Sequence, residues 1–145
     1  MTPPTIRQAV AADVAAVLAF WEAAAEGAHR PPDTATAVEL LVARDPAALL
    51  LAVEGDLIVG SVIAGWDGWR CHLYRLAVLP TRRGEGLGGA LIAAAEHRLA
   101  QLGGTRFDAM VLAENPLAHR AWLSAGYQPQ QEWTRWTKPA TAPGK

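Results

Sequence analysis

The sequence predicts one α/β domain built on a mixed, mostly antiparallel central sheet flanked by helices. Two apolar runs, 49–53 and 57–64, flank the turn Glu54-Gly55-Asp56 and read as an antiparallel hairpin. Strand 72–78, a long helix over 86–102 and strand 107–113 then read as one β-α-β crossover. The composition agrees. With 145 residues, 51% hydrophobic and 19% charged, the chain is long and apolar enough to bury a core of its own.

In chain order, 5–9 alternates as a short first strand. Asp13 precedes Val14, Val17, Leu18 and Trp21, one face of a helix running to about residue 25, where its charge suits the helix dipole. Gly27 and Pro31-Pro32 end that helix. A second starts at Thr34 or Thr36, carries Val38, Leu41 and Val42, and stops before Pro46. After the hairpin, 65–70 is a loop leading into strand 72–78. Leu87, Leu91, Ala95, Leu99 and Leu102 step by three and four along the longest helix, which Gly103-Gly104 closes. Asn115 is an N-cap and Pro116 a first helical residue, with Leu117, Ala118, Ala121 and Trp122 facing inward and Gly126 at the end. Residues 127–137 read as extended again, with Trp133 and Trp136 on opposite faces, one in the core and the other at a pocket or dimer contact. The folded domain is expected over 1–138, with 139–145 a mobile Pro/Ala/Gly-rich tail, and no internal repeat is found.

Several function classes are disfavoured. A net charge of −1 gives no electrostatic case for nucleic acid or an anionic membrane. The single cysteine, Cys71, allows no internal disulfide and no cysteine zinc cluster. His29, His97 and His119 show no metal-ligand spacing, so no metal is expected. No cationic-then-apolar leader follows Met1, and the apolar runs fall short of a membrane span, so the cytoplasm is the expected location.

The chemistry concentrates in Leu79-Pro80-Thr81-Arg82-Arg83-Gly84-Glu85-Gly86-Leu87-Gly88-Gly89. Glycines let the backbone approach a ligand, and the first turn of the following helix has N–H groups without partners. Together they make a cradle for a phosphate-type anion, with Arg82 and Arg83 adding charge. Gly84, Gly86 and Gly89 spell Gly-x-Gly-x-x-Gly, and Asp108 follows at about the twenty-residue separation of a ribose-binding acid, so a dinucleotide-dependent oxidoreductase is an alternative. Against it, residues 79–83 separate strand from glycines, Asp108 precedes its apolar run instead of ending it, and too little chain follows for a doubly wound sheet. No Gly-Lys-Ser/Thr follows, which excludes a P-loop.

Taken together, these residues resemble the GNAT superfamily of acyl-CoA-dependent N-acyltransferases, over nearly the whole chain. Arg83-Gly84-Glu85-Gly86-Leu87-Gly88 is similar to its Arg/Gln-x-x-Gly-x-Gly/Ala motif, and Leu76-Ala77-Val78-Leu79-Pro80 to the strand before it. Asn115-Pro116-Leu117-Ala118 with Gly126-Tyr127 is similar to its Asn-x-x-Ala and Gly-Phe segment, and Ile6-Arg7 through Asp13 to its opening. The loop Gly65-Trp66-Asp67-Gly68 resembles that of a small bacterial single-domain branch.

The resemblance implies a splayed strand pair that holds acetyl-CoA as co-substrate. Main-chain groups of Leu76, Ala77 and Val78 would pair with pantetheine, whose amides need backbone partners. Gly84, Glu85, Gly86, Leu87, Gly88 and Gly89, with Arg83, would hold the pyrophosphate, and Asn115 would bond the pantetheine side. The implied reaction is direct acetyl transfer to an amine acceptor, which needs a base and a group that polarises the carbonyl. His72 stands where some relatives carry a catalytic glutamate; base and packing residue are both open readings. Trp66, Asp67 and Trp69 are the candidate substrate-binding residues, since aromatic faces beside a carboxylate suit a cationic amine. Trp122 occupies the position of a tyrosine that protonates the departing thiolate in many relatives, so a catalytically weak acyl-CoA-binding or sensor domain is the second reading. Tyr127 is a possible hydroxyl donor whose usual role is packing, and monomer and homodimer are both compatible with the sequence.

Overall fold

The computed structural model describes residues 3–24 and 32–140. Five strands form one sheet in the order β1 (Thr5–Gln8), β2 (Leu49–Glu54), β3 (Leu57–Trp66), β4 (Cys71–Val78) and β5 (Phe107–Ala109). The first four pair antiparallel and β5 joins β4 in parallel, the pattern the hairpin and the crossover predict. Four helices cover the sheet: α1 (Val14–Ala24), α2 (Ala35–Arg44), α3 (Leu87–Gln101) and α4 (Pro116–Ser124).

Local chemistry sets most boundaries. A short 3-10 turn, Ala11–Asp13, leads into α1, and the Asp13 carboxylate accepts the Val10 N–H at 2.8 Å and two bonds from the Arg7 guanidinium. That guanidinium holds the Asp13 carboxyl below the ordinary carboxylate range. Thr34 caps α2 by accepting the Ala37 N–H, and Asn115 caps α4 by accepting the Ala118 N–H. The stop signals Gly27 and Pro31, His29 and the tail 141–145 lie outside the described residues.

The core lies on both faces of the sheet. Val17, Phe20 and Trp21 of α1 and Val38 of α2 pack with Leu49, Leu51, Val53 and Ile63. Leu91, Ile92, Ala95 and Leu99 of α3 and Trp122 of α4 pack with Ala52, Val59, Val62, Cys71 and Leu73 on the other face. Strand alternation makes both faces apolar, as a covered sheet requires. At the end of α3, a Cβ on Gly104 would lie 2.3 Å from Cys71 Sγ and 2.9 Å from the Leu99 carbonyl oxygen, so only glycine fits there. Arg98 of α3 ties the layers together, donating to the Ala64 carbonyl and to Asp45 beyond α2.

Two expectations need correction. The strand expected over 107–113 stops at Ala109: Met110 N–H still donates to the Leu73 carbonyl at 3.3 Å, and the chain then leaves β4. Residues 127–137 form no strand. Trp133 and Trp136 are 74% and 92% exposed, so neither is core. An extended segment gains its hydrogen bonds only from a neighbouring strand, and polar residues interrupt both faces here.

Candidate active site

The parting of β4 and β5 opens the site. Their pairing covers only Cys71, His72 and Leu73 against Phe107, Asp108 and Ala109. Beyond it, the β4 edge from Leu76 to Val78 faces Met110, Val111 and Leu112 across an open cleft of about 310 Å³. At the other end of the cleft stands the N-terminus of α3. Its N-cap is Gly86, at φ 85° and with no side chain to cap the first turn, so the leading amides are left for a ligand. A Cβ on Gly88 would meet only Ala121 Cβ, at 3.9 Å, so the absent side chain leaves room beside the amides. A free strand edge leading to an uncapped helix N-terminus fits a long ligand with amides in the middle and a pyrophosphate at one end.

Nine of the eleven residues assigned to the cofactor line this cleft: Leu76, Ala77, Val78, Arg83, Gly84, Gly86, Leu87, Gly88 and Asn115. Glu85 and Gly89 do not. The Glu85 carboxylate turns away to Arg82, whose guanidinium also meets Glu54 at 2.9 Å, so two carboxylates oppose the Arg82 charge. Arg83 donates to the Ala24 carbonyl at 3.2 Å, reaching from the glycine loop to the last residue of α1. Asn115 spends its side-chain oxygen on the α4 cap, which leaves the amide nitrogen as its group for a ligand.

His72 lies on β4 just before the strands part. Its Nδ1 is 2.8 Å from Asp108 Oδ1, and its Nε2 is 3.8 Å from Asp67 Oδ2. The parallel register sets His72 directly opposite Asp108. Asp67 accepts the Trp69 and Arg70 N–H groups at 2.8 and 2.6 Å, closing the turn after β3. The Arg70 bond first, then the Trp69 bond, lower its carboxyl below the ordinary range.

The structure does not bring Trp66 and Trp69 to this cluster. Trp66 pairs with Cys71 and packs against the α3 side of the sheet, whereas His72 pairs with Gly65 and points to the other face. Trp69 is 79% exposed, and the Arg70 guanidinium stacks on its ring at 4.9 Å, which already supplies that face with a cation. Of the three substrate candidates, Asp67 alone stands beside His72. Cys71 is buried, which pushes its thiol up and away from a nucleophilic thiolate.

Trp122 lines the cleft and is 5% exposed, its ring edge-on to Tyr127 at a centroid distance of 4.9 Å. The Tyr127 hydroxyl donates to Glu96 Oε2 of α3 at 2.7 Å. Burial first, then that carboxylate, raise the Tyr127 phenol far above its ordinary range, and its proton is given to the Glu96 hydrogen bond.

Along the sequence Asp108 reads only as a candidate ribose acid; its place beside His72 follows from the parallel alignment of the two crossover strands. Met110, Val111, Leu112 and Ala121 form a cleft wall that the sequence does not mark, because the length of β5 depends on its partner.

This architecture has known counterparts. A model of the acetyltransferase (GNAT) family matches residues 15–127. The chain is 36% identical over 104 residues to an acetyltransferase of Pectobacterium atrosepticum, covering 71% of this chain and 72% of that one. It is 34% identical over 93 residues to an acetyltransferase of Yersinia pestis, covering 64% of this chain and 66% of the relative, so the match spans just under two thirds of that protein. A GNAT superfamily phosphinothricin acetyltransferase from Sinorhizobium meliloti, solved with acetyl-CoA, shares the fold at a TM-score of 0.74 and 20% identity, over 89% of this chain and 77% of that one. The chain belongs to the GNAT acetyltransferase family.

Proposed function

We propose that the chain is a cytoplasmic N-acetyltransferase that moves an acetyl group from acetyl-CoA directly to a primary amine. The observation that carries this reading is the cleft itself, a free β4 edge running to the uncapped N-terminus of α3. The edge suits the amides of pantetheine, and the helix N-terminus with Arg83 suits the pyrophosphate. Bound there, acetyl-CoA supplies an activated acyl group: the amine nitrogen forms a bond to the carbonyl carbon, the carbon–sulfur bond breaks, and CoA leaves as a thiol.

His72 is the base in this reading. Asp108 accepts a hydrogen bond from Nδ1–H, which leaves the Nε2 lone pair to take the proton that the amine loses. Asp67 then faces the charge that develops on the imidazole and favours an acceptor bearing positive charge. No side-chain acid is assigned to the thiolate. A thiol ordinarily titrates near ~8.5, so water or the His72 proton is sufficient.

One observation favours the second reading, a domain that binds acyl-CoA without efficient transfer. Trp122 fills the tyrosine position, and the Tyr127 hydroxyl is committed to Glu96. Thiol release from acetyl-CoA against a broad amine panel, beside calorimetry with CoA, separates the two. Turnover with at least one amine supports the enzyme; tight CoA binding without turnover on any amine supports the binding domain.

A further inference from the structure

The one irregularity of β4 lies where the cleft begins. Ser61 pairs with Ala77 and Ile63 with Tyr74, so Arg75 and Leu76 stand opposite Val62 alone. This is a β-bulge, and Arg75 sits at φ 56°, among the described residues the one non-glycine in left-handed backbone. An arginine does not adopt that conformation without compensation.

The compensation is a buried relay. Ser61, on β3, is 0% exposed, a buried polar residue within the core. Its hydroxyl donates to the Arg75 carbonyl at 2.8 Å and accepts the Trp21 indole N–H from α1 at 2.9 Å. The direction is forced, because an indole N–H can only donate and a carbonyl can only accept. The Arg75 guanidinium then lies over the Trp21 ring at 5.0 Å and reaches Asp33, just before the Thr34 cap of α2. Helix α1, strand β3 and the segment before α2 thus converge on Arg75, β3 at its carbonyl and the other two at its guanidinium.

A trans peptide carries its C=O and N–H on opposite sides. With the Arg75 oxygen held by the Ser61 hydroxyl, the N–H of the same peptide, that of Leu76, points away from that hydroxyl. We propose that Ser61 is a positioning residue: it locks the Arg75–Leu76 peptide so that the Leu76 N–H donates to the thioester carbonyl oxygen. A donor fixed at that oxygen stabilises the charge gathered there during transfer, without rearranging at the moment of reaction. The inference rests on acetyl-CoA being the ligand of the cleft.

Ser61→Ala removes the lock, and Trp21→Phe removes only the outer member of the relay. CoA affinity by calorimetry is expected to stay within about twofold of wild type in both, because CoA has no thioester carbonyl. The infrared band of carbonyl-labelled acetyl-CoA should lie at lower frequency on the wild-type protein than in water, and return toward the solution position in Ser61→Ala. With an accepted amine, kcat should fall about tenfold or more while KM for acetyl-CoA changes about twofold or less. Trp21→Phe should fall between wild type and Ser61→Ala in both readouts. A wild-type carbonyl band in Ser61→Ala overturns the proposal, and if that variant does not fold, a wild-type band and kcat in Trp21→Phe overturn it instead. Parallel loss of CoA affinity and kcat reduces Ser61 to a structural residue and also overturns it. Absence of acetyl-CoA binding by the wild-type protein would instead remove the functional reading on which the proposal stands.

Discussion

Single side chains decide what this cleft can do. On the reading of His72 as the base, His72→Gln should lower kcat by roughly 10²-fold or more while KM for acetyl-CoA changes about twofold or less. Asp108→Asn removes the carboxylate on Nδ1, and a loss of about tenfold or more in kcat is expected with KM for acetyl-CoA unchanged. An unaltered kcat in His72→Gln would exclude the residue as base. Tyr127 gives the opposite expectation. Its hydroxyl is bonded to Glu96, so Tyr127→Phe should cost about 1 kcal/mol of stability by denaturant titration and leave kcat unchanged. Asp13 carries a pH signature. Its folded carboxyl is held below its unfolded value, so its contribution is complete above pH ~5 and is lost as pH falls through the lowered value. Asp13→Ala should therefore cost about 1 kcal/mol at neutral pH, and the gap to wild type should narrow as the pH falls through that lowered value.

At the scale of elements, the sequence was most informative where structure is local. Thr34 and Asn115 cap the helices they precede, and Gly86 opens α3 at the positive φ that glycine tolerates. The same locality made the anion cradle readable, since its amides come from one loop and the helix after it. Strand ends were not local. The β4–β5 pairing ends at Leu73, ahead of the bulge at Arg75, and residues 127–137 form no strand, facts that no window along the chain contains. The His72–Asp108 pair belongs to this second kind, because a parallel register joins residues from the two ends of a crossover. The cradle also makes its own prediction. Gly88→Leu should weaken CoA binding at least about tenfold while stability holds or rises, since glycine within a helix is unfavourable by ~1 kcal/mol and a Cβ there meets only Ala121. Unchanged CoA affinity in this variant would show that the ligand does not run beside the α3 N-terminus.

The whole molecule is an antiparallel sheet whose last member is parallel, and that change of direction makes the site. An antiparallel hairpin keeps its strands together through the turn, whereas a crossover leaves β5 tied to β4 only where the register holds. The sequence order revealed the crossover; where the two strands separate was set by packing across the sheet. The distribution of tryptophans has an optical consequence. Trp122 is enclosed at the cleft wall, while Trp69, Trp133 and Trp136 stand in water. Indole emission shifts to shorter wavelength in an apolar, water-poor setting, so Trp122 emits on the blue side together with the core residues Trp21 and Trp66, and of these three Trp122 alone lines the cleft. Titration with CoA should change the blue side saturably, Trp122→Phe should abolish the response, and Trp136→Phe should leave it intact. The chain thus carries a built-in reporter by which occupancy of the cleft can be followed before any acceptor is known.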